Sequence, residues 1–383
     1  MSWNSVKLGE LYTVHNGLSK GSKFFGNGYP FLTFSTVFNN YFIPPELDSF
    51  VQSSEAERQN YSIKRGDVFV TRTSETSDEL GMSCVALKDY PNATYNGFTK
   101  RMRPFTDRVL PEFIGYYMRM PSFRGEFLAF STMTTRASLK NEDLLGLQIR
   151  LPEKETQKRI ADILSAYDNL VENNQKQIKL LEEVSQRLYK EWFVDLRFPG
   201  YEDTSIVDGV PEGWEKVGLA SIAPIVTGKK DANFGTPDGK YLFFTCAQEP
   251  IRAPSYSFDC NAVILAGNGD FNVKLYRGQF EAYQRTYVFS PNETKHLYLL
   301  YHAVRESMRQ LFQGASGSTI KFLTKHMLED ITVFVPDKDT LNAFKNVCDA
   351  IQKKIECLKA QIMYSQESRD RLLPKLMSGE IEV

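Results

Sequence analysis

The stretch Glu153–Leu196 contains neither proline nor glycine, and its apolar residues return at helical spacing. Ile160, Ile163, Tyr167, Leu170, Leu181, Val184 and Leu188 follow steps of three and four, with Asn174 and Gln177 filling the polar centre of the stripe. Leu164, Val171 and Ile178 widen it to a third row, a face suited to packing against another helix. A polar residue at a seam position lowers stability and fixes register. At about 1.5 Å per residue, some forty helical residues span roughly 60 Å, more than a small domain needs for its own core.

The same chain carries a partner for this stretch. At an offset of 184, Pro152 falls on Pro336, Ala166 on Ala350, Glu172 on Glu356, Gln177-Ile178 on Gln361-Ile362, and Arg187-Leu188 on Arg371-Leu372, without a gap. Leu147, Ile149 and Leu151 fall on Ile331, Val333 and Val335, an alternating strand ahead of each helix, and Thr134-Thr135 fall on Ser318-Thr319. Nearer the start of each half the offset becomes 211, with Trp3 on Trp214, Val6 on Val217, Leu8 on Leu219 and Gly17 on Gly228. The chain reads as a duplication whose first globular unit is the longer by 27 residues, the difference between the two offsets. The expected architecture is α/β (α+β), with two related globular domains separated by two long antiparallel helices in a pseudo-two-fold internal repeat. The expected boundaries are 1–152 and 214–336 for the domains, 153–196 and 337–383 for the helices, and a Pro- and Gly-marked linker at 197–213.

Within each globular unit the order of features is the same. Tyr29–Phe42 reads as strand, Ser62–Arg72 as a turn into a buried strand with Val68 and Val70 alternating, and Pro111–Phe130 as one amphipathic helix. The second unit offers Ser257–Leu265 as a strand, Ala282–Phe289 opposite the basic-aromatic stretch Tyr95–Phe105, and His296–Phe312 as the matching helix. Pro374 lies near the end of the second long helix, where a kink or stop is expected.

The residues do not assemble a catalytic motif. Ile43-Pro-Pro-Glu46 lacks the polar and aromatic flanks of a base-methylating motif, and no G-x-G-x-x-G or G-x-x-x-x-G-K-[ST] is present. Pro237-Asp238-Gly239-Lys240 and Pro336-Asp337-Lys338 read as a turn and a helix start. The 4 histidines, His15, His296, His302 and His326, have no metal-ligand spacing. The 5 cysteines are odd in number with no C-x-x-C, as in a reduced intracellular protein. The opening MSWNSVK lacks a signal-peptide pattern, and no apolar run approaches a membrane span. A cytoplasmic location is expected.

Basic and hydrogen-bonding residues fall in corresponding loops of the two halves. The first set is Lys20, Lys23, Arg72, Lys100, Arg101, Arg103, Thr134, Thr135 and Arg136. The second is Lys229, Lys230, Asn268, Arg277, Gln284, Arg285, Ser318, Thr319 and Lys321. Arg and Lys contact phosphates and guanines, Asn and Gln read adenines, and Ser and Thr do either. A net charge of −1 argues against a free-standing, purely electrostatic binder of nucleic acid, but not against one with clustered basic residues or with partners. The pattern as a whole points to DNA. The alternative is a two-headed adaptor for proteins or glycans, with the helices as a dimerisation rod.

The segments LPEKETQKRIADILSAYDNLVENN, RLYKEWFVDLRFPG and RLLPKLMSGEIEV, with the paired openings Trp3…Gly17 and Trp214…Gly228, resemble the specificity subunits of type I restriction–modification enzymes. The resemblance covers essentially the whole chain. It implies that the globular units are target-recognition domains, each reading one half of a split double-stranded DNA site, and that the long helices are spacers. It also implies a subunit that is not itself an enzyme and bridges two methyltransferase subunits, with restriction (translocase/endonuclease) subunits joining. S-adenosylmethionine, Mg and ATP are then expected on those partners, with no cofactor or metal on this chain. At Lys354, Ser365 and Ser368 the second helix is polar where the first has Leu170, Leu181 and Val184, so an uneven seam is expected there.

Overall fold

The computed structural model describes residues 3–74, 79–129, 137–269, 271–317 and 321–383. It divides into two compact units, one of residues 1–173 with 361–383, the other of residues 174–360. Each unit holds mixed strands and helices, together with a part of both long helices.

The first unit is built on a four-stranded antiparallel sheet in the order Tyr12–Asn16, Thr99–Pro104, Val68–Thr71, Ser83–Val85. The strand Val68–Thr71 is buried throughout, as expected, with Val68 and Val70 in one core and Phe69 between them in another. Tyr29–Phe42 is not one strand. Phe25–Leu32 is extended, and a short helix Phe34–Asn39 follows, because the Thr33 hydroxyl accepts the Thr36 N–H at 3.1 Å and caps it. The expected single helix after Pro111 is two, Pro111–Tyr117 and Pro121–Ala129, with the second proline at the start of the second.

The second unit repeats the same core order, Ile225–Thr227, Thr286–Phe289, Phe258–Ala266, Val273–Ala282, again antiparallel. Tyr241–Phe244 and Ile251–Ala253 extend it to six strands. The helix Leu297–Gly314 covers this sheet. In both units a short antiparallel pair ties the opening of the repeat to the strand before the long helix. Val6 stands opposite Ile149 in the first unit, and Val217 opposite Val333 in the second.

The first long helix runs Lys154–Tyr189 and ends in a π turn, Lys190–Val194. The second runs Lys338–Ser378 and passes through Pro374 without stopping. Gln157 is fully buried and fully bonded at the start of the first helix. It accepts the Leu110 N–H at 2.8 Å and donates to the carbonyls of Arg108 and Pro152 at 3.0 and 2.8 Å. In the first unit, Asp168 receives the Arg369 guanidinium and the Tyr116 hydroxyl, the latter at 2.5 Å. Leu373, Leu376 and Met377 join Val6, Leu8, Phe113, Ile160 and Leu164 in one core.

In the second unit Tyr189 packs near Phe344 and Ser185 near Cys348, so the two helices run antiparallel there. The structure corrects the expected seam. Leu170 and Val184 are exposed, and so are their counterparts Lys354 and Ser368. Of the three polar departures, only Ser365 is buried. The other two point outward and leave the packing of the second helix regular.

One buried polar group of the second unit has a pH consequence. His302 exchanges a 2.6 Å hydrogen bond with the Ser185 hydroxyl, and its Nδ1 lies 2.9 Å from the Gln186 side-chain oxygen. That oxygen only accepts, so Nδ1–H donates to it and Nε2 accepts from Ser185. Burial, with a smaller push from Arg305, drives the His302 pKa down to about 3. An unfolded histidine titrates near 6.5. Below that pH the unfolded chain takes up a proton that the folded unit refuses, so stability falls with pH from about 6.5 to about 3. His302→Gln is expected to flatten this limb. Between pH 6.5 and 5 the wild type should lose up to about 2 kcal/mol more than the variant in urea unfolding. Equal losses would remove His302 from the acid response.

Candidate nucleic-acid interface

Four backbone hydrogen bonds recur in the two units and draw the same loops together. Gly17 N–H donates to the Thr99 carbonyl at 3.2 Å, and Gly228 N–H to the Thr286 carbonyl at 3.0 Å. Thr99 N–H donates to Asn96 at 3.0 Å, and Thr286 N–H to Tyr283 at 2.8 Å. Arg72 N–H donates to Phe98 at 2.9 Å, and Gly267 N–H to Arg285 at 2.8 Å. Leu139 N–H donates to Arg72 at 3.1 Å, and Leu323 N–H to Gly267 at 2.8 Å. These pairs fix the alignment of the repeat. The offset is 211 at Gly17 and Gly228, 195 at Arg72 and Gly267, 187 at Thr99 and Thr286, and 184 at Leu139 and Leu323.

The weave needs glycine where the loops cross. A Cβ on Gly17 would stand 2.0 Å from the Asn96 carbonyl oxygen, and one on Gly228 2.0 Å from that of Ala282. Either would force the first loop off its neighbour.

The structure sorts the basic residues into those presented by these loops and those consumed inside the fold. Lys23, Lys229, Gln284 and Arg285 are exposed on them. Lys230 lies over the Phe234 ring at 4.4 Å and Lys321 over Phe312 at 4.1 Å, each half-buried. Asn268 bridges to Phe322 beside them. Arg72 is half-buried at the crossing, and its charge, after burial, helps to depress the Lys100 pKa. Lys100 itself is buried and donates to Asn141. Lys20 is held by Glu57 at 2.8 Å and by the Gln52 carbonyl at 2.9 Å.

Three arginines serve the fold. Arg103 makes a two-pronged pair with the wholly buried Asp67, at 2.7 and 2.6 Å. Arg101 is buried over the Tyr95 ring and donates to the Ser62 carbonyl at 2.7 Å. Arg277 binds Asp349 of the second long helix at 3.1 Å and lines a groove of about 900 Å³ inside the second unit. Burial alone would raise the Asp349 pKa, but hydrogen bonds from Lys345, Tyr298 and Arg277 hold it down at about 2. Thr134, Thr135, Arg136, Ser318 and Thr319 lie outside the described residues. No group of His, Cys, Asp and Glu suited to a metal ion occurs among the described residues. Nor is any helix among them long and apolar enough to cross a membrane.

The arrangement is a pair of loop clusters built on one plan, each presenting polar and basic groups from the ends of an antiparallel sheet. Residues 1–183 and 211–359 match the family described as the type I restriction modification DNA specificity domain. The chain belongs to this family. It is 36% identical over 176 residues to the type I restriction enzyme EcoDI specificity subunit of Escherichia coli, covering 45% of this chain and 39% of that one. It is 24% identical to the MjaIX specificity subunit of Methanocaldococcus jannaschii over 100% of this chain and 94% of that one. Its fold is similar to that of the S subunit of the type I restriction–modification system from M. genitalium. The TM-score is 0.55 at 13% identity, over 98% of this chain and 96% of that one. These matches lend no support to the adaptor reading. As a specificity-domain chain it carries two copies of the DNA-recognition fold. Sequence reasoning missed that Phe98 and Arg285 hold equivalent places, because the offset of 187 appears only in this part of the chain.

Proposed function

We propose that the chain is the DNA-recognition subunit of a type I restriction–modification complex and that each unit reads one half of a bipartite site. The observation that carries this reading is the repeated weave of backbone bonds, which builds one loop cluster twice while the side chains it presents differ. One plan with two different surfaces fits a split, asymmetric DNA sequence. In this reading the chain performs no chemical step. The long helices set the spacing between half-sites and dock two methyltransferase subunits, and restriction subunits complete the assembly. S-adenosylmethionine, Mg and ATP act on those partners, and the complex works in the cytoplasm.

The near-zero charge makes the role of partners testable, because phosphate contacts supply most of the non-specific affinity for DNA. The purified chain is expected to bind DNA weakly and to transfer no methyl group from S-adenosylmethionine. Mixed with its methyltransferase subunits, it should direct methylation to one bipartite sequence. Methyl transfer by the chain alone, or a mixture that methylates without sequence preference, would overturn the reading.

A further inference from the structure

The two loop clusters share a four-residue turn that ends in different chemistry, and this inference rests on the recognition role proposed above. In the first unit the turn is Asn96-Gly97-Phe98-Thr99. Thr99 N–H closes it on the Asn96 carbonyl at 3.0 Å, and the Asn96 side chain accepts the Phe98 N–H at 2.7 Å. The Phe98 carbonyl is held from outside by Arg72 N–H at 2.9 Å. A Cβ on Gly97 would meet Ser19 Oγ at 2.3 Å, so the residue before Phe98 is pressed against the neighbouring loop. On this braced turn the Phe98 side chain is 59% exposed, and its ring packs on no other ring among the described residues.

The second unit builds the same turn from Tyr283-Gln284-Arg285-Thr286. Thr286 N–H closes it at 2.8 Å, Gly267 N–H holds the Arg285 carbonyl at 2.8 Å, and the Lys230 carbonyl accepts the Gln284 N–H at 2.9 Å. Arg285 stands where Phe98 stands. It is exposed, and its guanidinium makes no hydrogen bond or ion pair among the described residues. Other arginines of the chain are spent on partners, as Arg103 is on Asp67.

A braced turn exposed at the end of a sheet is no wider than the helix or β-ribbon that the major groove admits. There each base pair shows its own pattern. An arginine pairs with guanine O6 and N7, whereas an apolar side chain can meet only the thymine methyl. A phenylalanine held out in water on a braced turn also leaves apolar surface for a partner to cover. We infer that Arg285 reads a guanine in the half-site of the second unit and that Phe98 contacts a thymine methyl at the equivalent place in the half-site of the first.

The test uses the chain assembled with its methyltransferase subunits, with methylation mapping of wild type, Arg285→Ala and Phe98→Ala. Single thymine-to-deoxyuridine replacements in the first half-site, which remove only the methyl group, provide the second readout. Arg285→Ala is expected to relax one guanine position of the second half-site by about 5- to 150-fold and to leave the first half-site unchanged. In wild type, one deoxyuridine replacement should lower the modification rate by about fourfold, and Phe98→Ala should abolish that difference. Both side chains lie outside the cores, and unchanged strictness at the other positions of the same half-site reports that the mutated unit is folded. A wild-type complex with no bipartite preference would sink the recognition reading itself. A wild-type complex with such a preference, whose variants keep every position as strict, would sink only the assignment of the turn. So would an evenly reduced rate across sequences in Arg285→Ala, which marks a phosphate contact.

Discussion

Deleting Gln361–Val383 is expected to unfold the first recognition unit and to spare the second. These residues are part of the first unit by packing, although all of the second lies between them and the rest of it. Leu373, Leu376 and Met377 are each almost wholly buried against Val6, Leu8, Phe113 and Ile160. Removing one such side chain from a core costs roughly 2–5 kcal/mol. Removing all three, together with the Arg369 partner of Asp168, takes away about as much as the 5–15 kcal/mol that holds an ordinary domain together. The second unit keeps Leu341, Phe344 and Cys348 in its own core and loses none of them. Hydrogen exchange on the truncated chain should show fast exchange in Val68–Thr71 and continued protection in Phe258–Ala266. A protected first-unit sheet would mean that the second helix only lies against a domain already complete. Leu373→Ala in the full chain is the milder version, with an expected loss of roughly 2–5 kcal/mol confined to the first unit.

Matched insertions of four residues, between Asn173 and Asn174 and between Ala360 and Gln361, should lengthen the spacer between half-sites while both half-sequences stay the same. These points are where the chain divides between its units. Four residues add about 6 Å to a helix and turn it by little more than one full turn, since one turn is about 3.6 residues. DNA rises by about 3.4 Å per base pair, so the spacer should grow by one or two pairs. An insertion in one helix alone should do much worse. Asp168 must still reach Arg369 in the first unit, and Tyr189 must still reach Phe344 in the second, and a one-turn difference in length sets these pairings against each other. Two-residue insertions should fail as well, because they turn the buried face away by more than half a turn. Methylation mapping of the assembled complex decides the matter. Unchanged spacing in the matched four-residue variant would end the view that the helices act as a ruler.

How much of this was legible in the sequence depended on how far apart the deciding residues lie. The duplication and both long helices could be read because the offset of 184 holds without a gap and periodicity is a local property. The seam was harder. An apolar stripe of three rows is wider than the contact it makes, so Leu170 and Val184 look like core from the sequence and are exposed in the fold. The short helix after Thr33 reads as strand from the sequence because aromatic and β-branched residues outweigh one capping threonine. Arg101, Arg103 and Arg277 looked like the other basic residues of the loops. What separates them is Asp67, the Ser62 carbonyl and Asp349, partners set by strand pairing and helix packing rather than by sequence spacing. The equivalence of Phe98 with Arg285 was hidden for a related reason. The extra residues of the first unit are spread over several loops, and the backbone bonds were needed to show where each falls.

The split of the first unit also bears on the order in which the chain becomes a protein. Translation proceeds at about 5–20 residues per second, and domains generally fold as units. A ribosome that has just added Ala360 has made every residue of the second unit but still owes the first its closing helical segment. The unit encoded first is therefore the one completed last, and until then its half-made core has only itself, or a chaperone, for cover. A message cut short in the second long helix just after Ala360 yields a chain able to finish one reading head and not the other.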